Sequence, residues 1–121
     1  MARHNDFGNI GENKAVEYLQ ENGYSIVTKN WRVQHLEIDI IAIIDRVLCF
    51  VEVKTRSSKR YGEAFKALTI TKQKNLLKAA DLYIQENNID LDIRFDLITI
   101  TKVKEGVELL HFKDVFVPFQ F

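Results

Sequence analysis

The sequence holds a single cysteine, Cys49, in 121 residues. An internal disulfide is excluded, and so is any zinc or iron–sulfur site built on several cysteines. Cys49 lies inside an apolar run, where a buried and inert thiol is expected. Excess charge of either sign is missing too. Seventeen Lys and Arg balance seventeen Asp and Glu, which excludes a wholesale basic coat for nucleic acid and leaves such contacts to local clusters. No run approaches the roughly eighteen uncharged apolar residues of a membrane span, and the start Met1-Ala2-Arg3-His4-Asn5-Asp6 lacks the apolar stretch of a signal peptide. A soluble, cytoplasmic protein with no membrane partner is expected. Repeats, low-complexity tracts and long linkers are absent. Residues 1–121 are expected to form a single domain, long enough to bury roughly two-thirds of the surface its unfolded chain exposes.

What is present is organised around two apolar runs, Glu37-Ile38-Asp39 onward and the run ending Glu52-Val53-Lys54, joined by a turn at Asp45-Arg46. Pairing Ile44 with Val47 across that turn and stepping outward sets Asp39 opposite Glu52 and Glu37 opposite Lys54. Side chains alternate with period two, so these four charged residues are expected on one face, continuing the row Ile41, Phe50, Ile43 and Leu48. The other face reads Ile38, Val53, Ile40, Val51, Ala42, Cys49, Ile44 and Val47. Both faces are apolar near the turn, as in a sheet covered on both sides. One face becomes ionic at the far end, a polar site on the rim of a core.

In chain order, residues from about Asp6 to Asn22 have a helical pattern, with Ala15, Val16 and Leu19 on one stripe and Gly23 placed to end it. Extending that stripe backward reaches Glu12. Two readings stand for Glu12: half of a capping box with Asn9, or a carboxylate presented to the ionic face. Tyr24 to about Val33 is rich in β-branched and aromatic residues and reads as a first strand. After the hairpin, Thr55 to Gly62 is a polar loop carrying Arg56, Lys59 and Arg60. It is either a solvated loop or a source of phosphate contacts. Thr69 or Thr71 caps a second helix running to about Asn87, with Leu76, Leu77, Ala80 and Ile84 as its stripe. Gln73, at the start of that stripe, either satisfies a backbone group or reaches the ionic cluster. Ile93 to Thr101 reads as a strand parallel to the third, because a helix connects them. Glu105-Gly106 reads as a turn into a last strand, Val107–Phe112. The aromatic tail, with Phe116, Phe119 and Phe121, is expected either to dock on the core or to serve a partner.

Asp39 and Glu52 on neighbouring strands repel, and a hard divalent cation relieves that repulsion. Mg²⁺, or Mn²⁺ in its place, takes a few carboxylate oxygens and keeps sites for water and a phosphate oxygen. Lys54 on the same face is placed to orient an attacking water or to stabilise developing negative charge, the needs of phosphodiester hydrolysis. Glu12 is placed to complete a second metal site or to hold a water. Glu37 is expected to pair with Lys54 and position it.

These residues also resemble a known signature. Asp39, followed by Glu52-Val53-Lys54, is similar to the PD-(D/E)xK nuclease motif, with Ile38 at the position named for proline. The wider set includes Gly11-Glu12, Gly23-Tyr24, Glu37-Ile38-Asp39-Ile40-Ile41-Ala42, Phe50-Val51-Glu52-Val53-Lys54-Thr55-Arg56, Lys72-Gln73 and Arg94-Phe95-Asp96. Together these resemble the bacterial YraN-like family of candidate endonucleases, over about residues 8–101. The resemblance implies an α/β fold with a restriction-endonuclease-like αβββαβ core, similar to Holliday-junction resolvases, with a mixed sheet flanked by helices. The last strand is an extra C-terminal hairpin. It further implies that Asp39 and Glu52 bind metal, that Lys54 is the catalytic lysine, and that Glu12 and Gln73 belong to the site. DNA is the implied partner, branched or structured DNA included, and a homodimer is implied by analogy. Arg56, Lys59 and Arg60 are the candidate nucleic-acid contacts. One departure is Leu36, where that family usually has glycine; a side chain there alters how closely substrate approaches the strand backbone. Two other functions remain open: a non-catalytic nucleic-acid-binding module using the same groove, and a protein-interaction domain using the aromatic tail.

Overall fold

The computed structural model describes residues 6–56 and 68–115. Lys59, Arg60 and Gly62 of the expected contact loop, and Phe116, Phe119 and Phe121 of the tail, lie outside the described residues. The elements in order are α1 (Asp6–Glu21), β1 (Ser25–Val33), β2 (Leu36–Ile44), β3 (Val47–Arg56), α2 (Ile70–Asn87), β4 (Asp92–Val103) and β5 (Gly106–Phe112). They form one five-stranded mixed sheet in the order β1-β2-β3-β4-β5. β3 and β4 are parallel and the remaining neighbours antiparallel. This is the expected αβββαβ order with a hairpin strand added. No helix among the described residues is long and apolar enough to cross a membrane.

Both helices end through a left-handed residue. Gly23, at φ +90, lets Tyr24 N–H reach back to Leu19 O at 2.9 Å and its own N–H reach Gln20 O. Asn88 does the same for α2 at φ 50, with Ile89 N–H on Ile84 O. Such 6→1 and 5→2 bonds satisfy carbonyls that the last turn leaves unpaired. Thr69 caps the start of α2, its side chain accepting from Lys72 N–H; this decides between the two threonines.

The sheet is covered on both sides, so β3 is apolar throughout its central run. On one face Ala15 and Leu19 of α1 pack with Tyr24, Ile40, Ala42, Cys49, Val51, Ile98 and Ile100. On the other, Leu76, Ala79, Ala80 and Tyr83 of α2 pack on Ile41, Leu48, Phe50, Phe95 and Leu97. The buried stripe of α2 is thus rotated from the expected Leu76-Leu77-Ala80-Ile84, and Leu77 and Ile84 are half-buried. The aromatic surface beneath explains the rotation. Tyr83 meets Trp31 and Phe50 edge-on, with centroids 5.1 and 6.0 Å away, while two alanines allow close approach.

The β2–β3 turn is the two-residue one expected, and Ile44↔Val47 through Ile40↔Val51 pair in the expected register. Asp45 and Arg46 have φ 46 and 66, the doubly left-handed geometry of a type I′ turn, in which arginine is a poor second residue. Arg46→Gly should therefore raise stability by about 0.5–1 kcal/mol, read as a higher urea midpoint with an unchanged slope.

Candidate active site

Beyond Ile40↔Val51 the β2–β3 ladder stops. At the next residue Asp39 turns its carboxylate toward β3, where Oδ2 accepts the Val53 N–H at 2.8 Å. A side chain thus takes the backbone donor that a continuing ladder would have used. The alternation of β2 changes phase at the same place. Leu36 and Ile38 pack on the α2 face together with Ile41, while Ile40 and Ala42 pack on the α1 face. The expected cross-strand pairs Asp39↔Glu52 and Glu37↔Lys54 do not form, and Ile38 lies on the face opposite to the one its spacing from Ile40 implied.

Two clefts meet where the strands part, one bordered by α1 and the other mainly by α2. On the α1 side, a cleft of about 270 Å³ is lined by Glu12, Asp39, Glu52, Lys54, Thr55 and Lys72, among others. On the α2 side, one of about 300 Å³ is lined by His35, Leu36, Glu37, Thr69, Thr71 and Asn75, together with Asp39, Glu52 and Lys72. Asp39, Glu52 and Lys72 therefore form the wall common to both. Of the candidates from sequence, Glu12, Asp39, Glu52 and Lys54 are brought together in the α1-side cleft.

Glu12 arrives by a close helix–strand contact. α1 begins at Asp6, so Asn9 lies within the helix and the capping-box reading of Asn9 and Glu12 does not hold. Gly11 is buried against β3, and a Cβ built there would stand 2.2 Å from Thr55 Cγ2. A side chain at residue 11 must push α1 off the strand end that carries Lys54. Gly11→Ala should cost about 1–3 kcal/mol, and Thr55→Ser in the same chain, which removes that methyl, should restore most of the loss in thermal unfolding.

The other candidates fall differently. Glu37 bonds Arg32 Nε at 3.1 Å, across from it on β1, rather than Lys54. Gln73 donates Nε2–H to Leu68 O at 2.7 Å, satisfying backbone rather than reaching the carboxylates. Arg56 ends β3 and is half-buried. Leu36, in place of the glycine, is buried in the α2-side core and lines that cleft.

The electrostatics of the common wall are asymmetric. Glu52 is only 5% exposed and forms an ion pair with Lys72 Nζ. Among the described residues Asp39 receives one hydrogen bond, from Val53 N–H, and its pKa is pushed up to about 7, chiefly by burial and by the charge of Glu52, with Glu12 and Glu37 adding to it. Lys72 was not anticipated from spacing because it crosses to Glu52 from α2. The available signal was that Asp39, Glu52 and Glu12 outnumber the one lysine expected among them. Cys49 is free and buried, its thiol pushed up to about 11 by burial, as expected of an inert thiol.

A second polar cluster was also missed. Asp96 on β4 is fully buried and receives Arg94 Nε–H and Nη2–H at 2.9 and 2.8 Å and the Asp114 N–H at 3.1 Å, with His111 Nε2 at 2.7 Å. Arg94 continues to Tyr24 OH, and His111 Nδ1 to Tyr18 OH. The network joins α1, β4, β5 and Tyr24, just before β1, on the α1 face. An arginine two residues before an aspartate in an apolar strand was its trace in the sequence.

Residues 11–100 match the family described as uncharacterised protein family UPF0102. The chain belongs to this family. The UPF0102 protein FP2501 of Flavobacterium psychrophilum is 45% identical over 119 residues, covering 98% of this chain and all of that one. A UPF0102 protein of Bacteroides thetaiotaomicron is 42% identical over 118 residues, 98% of each chain. The YraN-like resemblance drawn from the motifs is thus membership of the UPF0102 family. Among solved structures, SfsA of Pyrococcus furiosus in complex with Ca²⁺ is similar at 17% identity and a TM-score of 0.36. The match spans 83% of this chain and 61%, less than two thirds, of that one. A likeness of that degree has no bearing on function.

Proposed function

We propose that this UPF0102 protein is a divalent-metal-dependent endonuclease that hydrolyses DNA phosphodiester bonds. One observation carries the reading: a carboxylate pair, buried Glu52 and half-buried Asp39, opens on the same cleft as Glu12 and Lys54. Among the described residues no three His, Cys, Asp or Glu side chains are grouped as a ready metal cage. Two carboxylates suit Mg²⁺ or Mn²⁺ nonetheless, since such ions use one or two protein oxygens and fill the remaining positions with water and substrate phosphate. Burial and then the charge of Glu52 raise Asp39, and a cation in the cleft would offset the repulsion between the two carboxylates.

In this reading Asp39 and Glu52 hold the metal, which when bound polarises the phosphate and makes a coordinated water acidic. The Val53 N–H fixes one oxygen of Asp39, a residue that lines the cleft. Lys54, exposed at the mouth, orients the attacking water and neutralises charge that builds on the phosphate oxygens. Glu12 accepts a hydrogen bond from water on the α1 side. Glu37 and Gln73 act at one remove, through the β1–β2 edge and the start of α2. Arg56, Lys59 and Arg60 supply contacts to the DNA backbone. Two such centres in a homodimer would serve double-strand cutting, the arrangement to expect if the substrate is branched DNA.

Calorimetric titration with Mn²⁺ tests the metal centre. Binding is expected in the native chain and should be lost in both Asp39→Asn and Glu52→Gln. Binding that persists in both variants would place the metal elsewhere and remove the basis for the reading.

A further inference from the structure

We propose that Lys72 is the resident counter-cation of this centre: it neutralises Glu52 while no divalent ion is bound, releases that carboxylate when one binds, and then takes a DNA phosphate in the α2-side cleft. The inference rests on the metal-centre reading and adds a residue to it. The partners are unequal in a way that suits exchange. The Glu52 side chain is 6% exposed and held in the sheet, whereas the Lys72 side chain is 42% exposed and ends a flexible stem. When a metal takes Glu52, the lysine is the partner free to leave.

Its position gives it a destination. Lys72 lies in the first turn of α2 and borders both clefts. In the α2-side cleft it stands with Thr69, Thr71, Asn75 and His35, a group rich in hydrogen-bond donors. That cleft shares Asp39, Glu52 and Lys72 with the cleft that Lys54 lines. A strand of DNA with its scissile phosphate at the wall would extend a neighbouring phosphate into it. One lysine would then serve the apo protein as a plug and the complex as an anchor, while Lys54 serves the chemistry.

The test compares native protein with Lys72→Met and Lys72→Arg. Mg²⁺ affinity is measured by calorimetry without DNA, and binding of a labelled duplex is measured in Ca²⁺ across salt concentrations. Removing a cation that competes for Glu52 should tighten Mg²⁺ binding about tenfold in Lys72→Met. The same variant should bind DNA about tenfold more weakly, with a log–log salt slope shallower by about one. Lys72→Arg, which keeps the charge, should behave as the native chain. Since the Lys72 side chain is 42% exposed, Lys72→Met is expected to fold, and its unfolding midpoint checks this. Unchanged or weaker Mg²⁺ binding in Lys72→Met would overturn the proposal and make the ion pair purely structural. Failure of the native protein to bind Mg²⁺ at all would instead remove the metal centre on which the proposal stands.

Discussion

Asp39→Asn should make the metal-free protein more stable while abolishing its response to metal. The asparagine oxygen can still accept the Val53 N–H, so the fold at the parting of β2 and β3 is kept. What disappears is a negative charge set among Glu52, Glu12 and Glu37. Asp39 has its pKa raised from 3.8 to about 7 by burial and by those carboxylates. Between those values the folded protein binds a proton that the unfolded chain has released. Metal-free stability therefore falls as pH rises through that window and levels off above it. Full desolvation would make the shift worth roughly 4 kcal/mol, and the open cleft reduces it to on the order of 2 kcal/mol. Urea unfolding at pH 4.5 and pH 8 should show the native chain losing about that much and Asp39→Asn keeping it. Saturating Mg²⁺ should restore the native chain at pH 8 and leave the variant unmoved. Equal pH dependence in the two proteins would mean that Asp39 is not where the strain resides.

The largest loss of stability is expected from Asp96→Ala. Burial works against the charge of Asp96, but hydrogen bonds from His111, Arg94 and the Asp114 N–H hold its pKa below the ordinary value. Its contribution is thus present above the unfolded pKa and lost as pH falls through the lowered folded one. Truncation strands the Arg94 guanidinium, only 21% exposed, and the buried His111 imidazole without their common acceptor. Breaking a buried pair from one side costs about 3–5 kcal/mol, a large share of the 5–15 kcal/mol typical of a small domain. Asp96→Asn, which keeps one acceptor for Arg94, should lose less. Denaturant titration separates the two, and any activity should fall in proportion to the folded fraction. This distinguishes Asp96 from Asp39, where activity should vanish in a well-folded protein.

These two aspartates also mark how far the sequence could be read. The hairpin register was legible because a two-residue turn fixes every pair that follows it, and Ile44↔Val47 to Ile40↔Val51 obey. Extrapolating the same ladder to Asp39 failed because a carboxylate is itself an acceptor and displaced the backbone from Val53. Glu37 had two neighbouring strands to choose from, and Arg32 on β1 was in register with it. One hairpin cannot reveal the other neighbour. The gathering of Glu12, Asp39, Glu52 and Lys54 was nevertheless legible, since it depends on helix spacing and strand ends rather than on the last ladder bonds. Lys72 and the Asp96 network were hidden for a common reason. Each joins residues from elements that meet only when the whole sheet is assembled, Lys72 to Glu52 across α2 and His111 to Asp96 across β5.

The central claim is that Asp39, Glu52 and Lys54 form a phosphodiesterase centre. It is tested most directly by cleavage of labelled single-stranded, duplex, flap and four-way-junction DNA, with RNA alongside, in Mg²⁺, Mn²⁺ or EDTA. Asp39→Asn and Lys54→Ala are assayed beside the native chain. The expected result is cutting that needs metal, favours one class of DNA, and falls by about a thousandfold or more in both variants. Cutting that survives in both variants, or DNA bound by a metal-loaded native protein and never cut, would contradict it.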